Sequence, residues 1–335
     1  MLQSHHPLKV RFGYVAMSQQ LQHASPSQTM TVKQFTELAD REAAIRKLER
    51  IAISNVENCM RLIKHNKAEG IHFFRLSSRL VPLVNHPLTD GWKYERALAP
   101  YLEELGNLIT KNKMRVDFHP DHFVVLNSSS KEVFQHALKQ LLYHYKLLKG
   151  LNIDPKHRCV LHIGGKKQGV EGGLEQFVSN FADIPIALQE MLILENDDKN
   201  YAIEDALYLG EKLGIPVVFD LHHFDVHHKE KDLQTLWTRV VETWKHSPLP
   251  VKMHISSPKD GPSDRAHADY IDANRFERFV QVIQGSVRKM DVMIEAKQKD
   301  LALIKLMGDL KEFSLVKEVS QAEMEFHFEN TLAPN

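Results

Sequence analysis

The feature of this chain that most restricts its fold is a series of short apolar runs, rich in Val, Ile and Phe, set between longer stretches with apolar residues at helical spacing. The runs occupy residues 10–16, 71–76, 114–118, 159–163, 191–194, 216–219, 251–255 and 291–294. None shows the clean apolar/polar alternation of a half-exposed sheet, as expected of strands covered by helices outside and packed with side chains inside. Stretches such as 41–64 and 131–148 supply the covering helices. Eight such units describe an α/β fold closed on itself, a single (β/α)8 TIM barrel over residues 1–312. The pattern is irregular after Gly308, so 313–335 is expected to be a C-terminal appendage. The 335 residues, 43% of them hydrophobic, suffice for one large core. No linker or repeat divides the chain, and residues 25–31 read as an irregular loop.

In such barrels, sites are built at the carboxyl ends of the strands. Runs three to eight deliver, in order, His119, His162, Glu195, Asp220, His254 and Glu295 to those ends. A lone strand-end His or Asp is ordinarily a cap or a loop hydrogen bonder. With 20 His and 43 Asp plus Glu among 335 residues, six in succession arise by chance well under about 1% of the time. The succession therefore reads as a metal site on the C-terminal rim. Two places extend it: the pair His222 and His223 after Asp220, which compete for one role, and His267 in the segment Arg265-Ala-His-Ala-Asp.

Imidazole mixed with carboxylate suits Mn²⁺ or Zn²⁺ better than Mg²⁺, which prefers an all-oxygen shell. More than four ligands implies two or three ions, bridged by Glu195 or Glu295. Mn²⁺ is the first expectation, with Zn²⁺ and Mg²⁺ as alternatives. Multi-metal sites stabilise both the attacking and the leaving oxygen of a phosphoryl displacement. The same barrel and ligands also serve metal-dependent sugar isomerases and epimerases, so ligand type alone leaves both reactions open. Lys252, two residues before His254, leaves the strand on the same face. It is read as catalytic, either clamping the scissile phosphate or, once carboxylated, acting as an anionic partner of the metals; a solvated lysine is the plain alternative.

Lys plus Arg and Asp plus Glu number 43 each, so DNA binding would need a local basic surface. Cys59 and Cys159 stand in no disulfide, redox or metal spacing. With no signal-like start and no membrane-length apolar stretch, the expectation is a soluble, cytoplasmic protein.

The segments Arg11-Phe-Gly-Tyr-Val, Phe118-His-Pro, Leu161-His-Ile-Gly-Gly, Leu194-Glu-Asn-Asp, Phe219-Asp-Leu-His-His, Lys252-Met-His-Ile-Ser-Ser and Ile294-Glu-Ala-Lys-Gln-Lys-Asp, in that order, resemble the UV damage endonucleases. More distantly, the ligand series is similar to that of endonuclease IV. The resemblance implies metal-dependent hydrolysis of damaged double-stranded DNA. Cleavage would fall immediately 5′ to pyrimidine dimers, (6-4) photoproducts and some abasic sites, leave a 3′-hydroxyl and a 5′-phosphate, and need no ATP. It also implies His119, His162, Glu195, Asp220, His223, His254, His267 and Glu295 as metal ligands, with His223 preferred over His222 by spacing. A monomer is expected.

A nuclease that finds damage exploits weakened stacking. The segment His119-Pro-Asp-His-Phe follows run three and places His122 and Phe123 to probe the duplex. The resembled family usually carries Gln where this chain has His122. Tyr14 is a further candidate for stacking on a base. Phosphate contacts are expected from Arg75 and Ser78, with neighbouring Ser77 and Arg79, and from Lys297 with Lys299.

Overall fold

The computed structural model describes residues 6–328. Eight parallel strands form the barrel: β1 (Leu8–Val15), β2 (Phe73–Arg75), β3 (Arg115–Asp117), β4 (Cys159–His162), β5 (Leu192–Glu195), β6 (Val217–Asp220), β7 (Val251–Ile255) and β8 (Lys289–Ile294). Each coincides with one of the eight apolar runs to within about two residues. The sheet runs β3-β2-β1-β8-β7-β6-β5-β4, and a parallel bridge between Phe118 and Cys159 closes it. Backbone bonds from Phe118 N to Arg158 O (2.8 Å) and from Val160 N to Phe118 O (3.0 Å) complete the ring.

One long helix follows each strand: α1 (Arg41–Ala68), α2 (Tyr94–Lys111), α3 (Lys131–Gly150), α4 (Gly169–Phe181), α5 (Ile203–Leu213), α6 (Leu233–Thr243), α7 (Ala273–Val282) and α8 (Lys299–Leu310). Their starts follow from local chemistry. Asp40 accepts from the backbone of Glu42 and Ala43, Ser130 from Val133, and Asp272 from Asn274 and Arg275, which satisfies amides a first turn leaves unpaired. Both faces of the strands are covered: every residue of β2, β3, β5, β6 and β7 is buried. Gly13 is required where β1 meets β2, since a Cβ there would lie 2.3 Å from Phe73 O. No helix among the described residues is long and apolar enough to cross a membrane.

The segment after α8 forms a hairpin, β9 (Val316–Ser320) and β10 (Glu323–Phe326). β10 pairs antiparallel with the first half of β1, Leu8 opposite Phe326 and Arg11 opposite Glu323. That is the side β2 takes only from Tyr14 onward, so the hairpin covers the amino end of the barrel, away from the rim that carries the ligand-type residues. Ala322, Met324 and Phe326 are fully buried there. Residues 329–335 of the expected appendage lie outside the described residues.

Candidate metal centre

Strand register brings the ligand-type residues together. His162 of β4 lies level with Glu195 of β5, and Asp220 of β6 with His254 of β7. Glu195 is the hub. Its Oε2 lies 2.8 Å from His119 Nε2 and 3.9 Å from His162 Nε2, and its Oε1 lies 2.6 Å from His254 Nδ1 and 4.0 Å from His223 Nδ1. On the far side, His254 Nδ1 is 3.3 Å from Glu295 Oε1. Three groups able to hold a metal ion follow, and all contain Glu195: with His119 and His162, with Asp220 and His223, and with His254 and Glu295. Six of the eight expected ligands are thus gathered within reach of a seventh, the Glu195 carboxylate. His267 belongs to none of the three groups, but its ring lies 6.2 Å from that of His223. Its Nδ1 donates to the Glu295 carbonyl at 2.7 Å, and the loop carrying it is pinned by a bridge to Pro258.

Local structure explains which member of the histidine pair enters. Asp220 caps the short helix Leu221–Val226 by accepting from the His223 amide (2.8 Å), and His223 Nδ1 donates to the Asn196 carbonyl (2.9 Å). Asn196, fully buried, also bonds the Asp220 backbone through both side-chain atoms, at 2.9 and 3.1 Å. His223 is thereby aimed into the cluster, while the ring of His222 packs edge-on against His267 at 5.6 Å. Asn196 is a further site residue, which residue type alone does not mark, although it lies within the Leu194-Glu-Asn-Asp segment.

The electrostatics are those of a cation site. Burial alone would raise Glu195, but His254, His162 and His119 hold it well below the usual carboxylate range. Burial, with Glu195 and Glu295 adding to it, lifts Asp220 to about 8 against the opposing pull of His223. Burial works against charge on His223, yet Asp220, Glu195 and Glu295 raise it to about 9. The Asp220–His223 pair therefore retains a proton that a divalent cation would replace. Asp220 Oδ2 and His162 Nδ1 are buried and without a hydrogen-bond partner. Orphan polar atoms of this kind cost about 1–3 kcal/mol each, and both belong to residues of the three groups, so the donor set fits divalent ions.

Below this ring the barrel holds a layer of ion pairs. Lys252 Nζ donates to Asp117 Oδ2 at 2.6 Å, both side chains having no exposed surface, and Asp291 accepts from Arg11 (2.7 Å) and Arg115 (2.6 Å). Burial lowers Lys252 to about 8 despite Asp117. The phosphate-clamp reading of Lys252 is corrected here: it does share a face with His254, but its ammonium is enclosed and engaged by Asp117. Tyr14 is corrected as well. Its side chain is fully buried between β1 and α1, and its hydroxyl donates to Asn66 Oδ1 (2.5 Å), so no base can stack on it. Ser78 donates to the His119 carbonyl (2.9 Å) and so braces the loop. Arg75 points inward to Glu295 and His254. Lys297, His122 and Phe123 are exposed, Phe123 by 65%, with the last two rings 4.1 Å apart.

A cavity of ≈ 390 Å³ opens beside the ring, bordered by His162, Asp197, Asn200, His223, Arg265 and His267. Gly164 shapes its wall at φ +129°, where a Cβ would also strike Asn127 Oδ1.

Comparison with known proteins places this arrangement in context. A profile of the family described as UV-endonuclease UvdE matches residues 10–327. A UV DNA damage endonuclease of Halalkalibacterium halodurans is 60% identical over 321 residues, covering 96% of this chain and 100% of that protein. The crystal structure of SacUVDE superposes with a TM-score of 0.79 at 30% identity, over 90% of this chain and 98% of the other. Endonuclease IV from Thermus thermophilus shares the fold, with a TM-score of 0.51 at 13% identity over 90% of this chain and 100% of that one.

Proposed function

The chain belongs to the UV-endonuclease UvdE family, and on that premise we propose that it is a metal-dependent endonuclease acting on UV-damaged double-stranded DNA. It hydrolyses the phosphodiester immediately 5′ to pyrimidine dimers, (6-4) photoproducts and some abasic sites, leaving a 3′-hydroxyl and a 5′-phosphate. The observation that carries this reading is the convergence of three metal-ligand groups on Glu195 at the mouth of the barrel. Two or three bound ions, Mn²⁺ first and Zn²⁺ or Mg²⁺ as alternatives, supply positive charge against the phosphoryl oxygens and hydroxide at neutral pH.

The chain's own residues do the rest. Glu195, common to all three groups, would serve ions in each, and Glu295 would complete the set from β8. His119, His162, Asp220, His223 and His254 would hold the remaining ligand positions, with His267 beside them. Phe123 and His122 stand out from the loop after β3 and enter the duplex where damage has already weakened stacking, so the unstacking cost is lowest at a lesion. Arg79 and Lys297, both exposed, contact phosphates and fix position without reading sequence. Lys252 acts indirectly, by keeping Asp117 neutralised under the ring. One chain supplies every ligand, so a monomer suffices. A small-sugar isomerase, the rival chemistry for these ligands, would have no use for an exposed aromatic such as Phe123 at the mouth.

The test is nicking of supercoiled plasmid in Mn²⁺. Irradiated plasmid should relax, unirradiated plasmid should stay closed, the nicks should prime a DNA polymerase, and Glu195→Gln should abolish relaxation. Equal cutting of both plasmids, or none of either, refutes the proposal.

A further inference from the structure

Arg75, at the end of β2, has a role in the ring that its sequence position did not suggest. Its Nη1 forms an ion pair with Glu295 Oε1 at 2.6 Å, and its Nη2 lies 2.8 Å from His254 Nε2 and 3.4 Å from His254 Nδ1. Burial disfavours its charge, but Glu295, Asp117 and Glu195 outweigh that and hold the guanidinium charged. Only 9% of the residue is exposed.

The Glu195 carboxylate beside His254 Nδ1 only accepts, so the imidazole proton sits on Nδ1 and Nε2 keeps its lone pair. The proton is donated to Glu195 Oε1 at 2.6 Å. Arg75 thus lies against two of the three residues in the Glu195–His254–Glu295 group. A metal approaching His254 through Nε2 finds the charged guanidinium already beside that atom and Glu295 Oε1. A metal approaching through Nδ1 meets an N–H, and moving the proton to Nε2 would set N–H against N–H facing Arg75. By either nitrogen, the guanidinium has to leave. Charge points the same way. Glu295, Asp117 and Glu195 attract Arg75, but two divalent ions bring four positive charges and reverse the sign of the ring.

We propose that Arg75 and a divalent cation compete for the Glu195–His254–Glu295 group, and that the guanidinium displaced by metal becomes a phosphate-binding donor of the loaded enzyme. This rests on the reading of the ring as a metal centre. The planar fork that now bridges a carboxylate and an imidazole matches the oxygens of a phosphodiester equally well. Metal loading then releases the donor that DNA needs, so metal and DNA strengthen each other's binding.

Two measurements that do not depend on catalysis test this. In the first, MnCl₂ is titrated calorimetrically into wild type and Arg75→Met. The variant should bind its first Mn²⁺ at least about tenfold more tightly, the weight of one charge-assisted hydrogen bond. In the second, the wild-type protein is labelled with phenylglyoxal and Arg75 is followed by peptide mass spectrometry, which requires no variant to fold. Saturating Mn²⁺ should accelerate Arg75 labelling several-fold. Equal or weaker Mn²⁺ binding by Arg75→Met overturns the competition, as does labelling that Mn²⁺ slows or leaves unchanged. Failure of the wild type to bind Mn²⁺ at all overturns the metal centre itself, and the two failures are thereby distinguished.

Discussion

Lys252 and Asp117 face each other at 2.6 Å with no exposed surface on either side chain, and removing one of them should show what the buried ion layer contributes. At an effective dielectric constant near 20, that separation corresponds to about 6 kcal/mol of gross attraction. Much of it offsets the cost of taking both charges out of water. Lys252→Met keeps the length and apolar stem of the side chain but leaves Asp117 as a buried carboxylate without its main partner. Asp117 is not wholly abandoned, because Arg75 and Arg115 also act on it. The expected loss is therefore about 3 kcal/mol, the low end of the range for breaking a buried pair. Against a total stability of roughly 5–15 kcal/mol, the melting temperature should fall by about 6 °C, at roughly 2 °C per kcal/mol for a chain of this size. Replacing both partners, Lys252→Met with Asp117→Leu, removes the stranded charge and should cost less than about 1 kcal/mol. Urea unfolding followed by tryptophan fluorescence yields the four corners of the cycle, with a coupling energy of about 2 kcal/mol or more. The reasoning is refuted if Lys252→Met costs under about 1 kcal/mol, or if the double variant loses as much as its two single variants together.

Two further predictions follow from the same geometry. His144 is fully enclosed in α3, donates Nδ1 to the Gln140 carbonyl at 2.7 Å, and is lowered by burial to about 4. Because the unfolded chain takes up this proton first, the contribution is complete above about pH 6.5 and is lost as pH falls towards 4. The wild type should lose about 3 kcal/mol relative to His144→Phe across that window; parallel urea curves at pH 7 and pH 4 measure it, and a pH-independent difference refutes it. Phe123→Ala should leave the melting temperature unchanged, since the ring is 65% exposed, yet cut the nicking rate on irradiated plasmid by about tenfold, the weight of one lost stacking contact. Unchanged nicking would remove Phe123 from lesion recognition.

The barrel was legible because one pattern repeats eight times, and the convergence of the ring because strand end and residue type together locate a candidate ligand without further knowledge of the path. The terminal hairpin escaped this reading. Its only signal is the two-residue alternation of Met324 and Phe326 with Glu323 and Glu325, too short to separate from an irregular tail, and its stability comes from pairing with residues 8–11 of β1, some 300 positions away. Tyr14 was misassigned for a related reason. A strand-end aromatic can face the mouth or the helix layer, and the choice is made by Asn66 in α1, whose acceptor captures the hydroxyl.

Lys252 and Arg75 mark where residue type ceases to be informative. Parity along β7 does put Lys252 on the face of His254, but the depth of its ammonium depends on Asp117, far earlier in the sequence on β3. Arg11, Arg115 and Lys252 against Asp291 and Asp117 leave one net positive charge beneath the ring. Glu195, Asp220 and Glu295 above it carry negative charge that Arg75 and a protonated Asp220–His223 pair only partly balance. A barrel interior filled with aliphatic side chains would be simpler to fold, so the charged layer serves the ring above it. Its net positive charge offsets part of the negative charge gathered at the mouth.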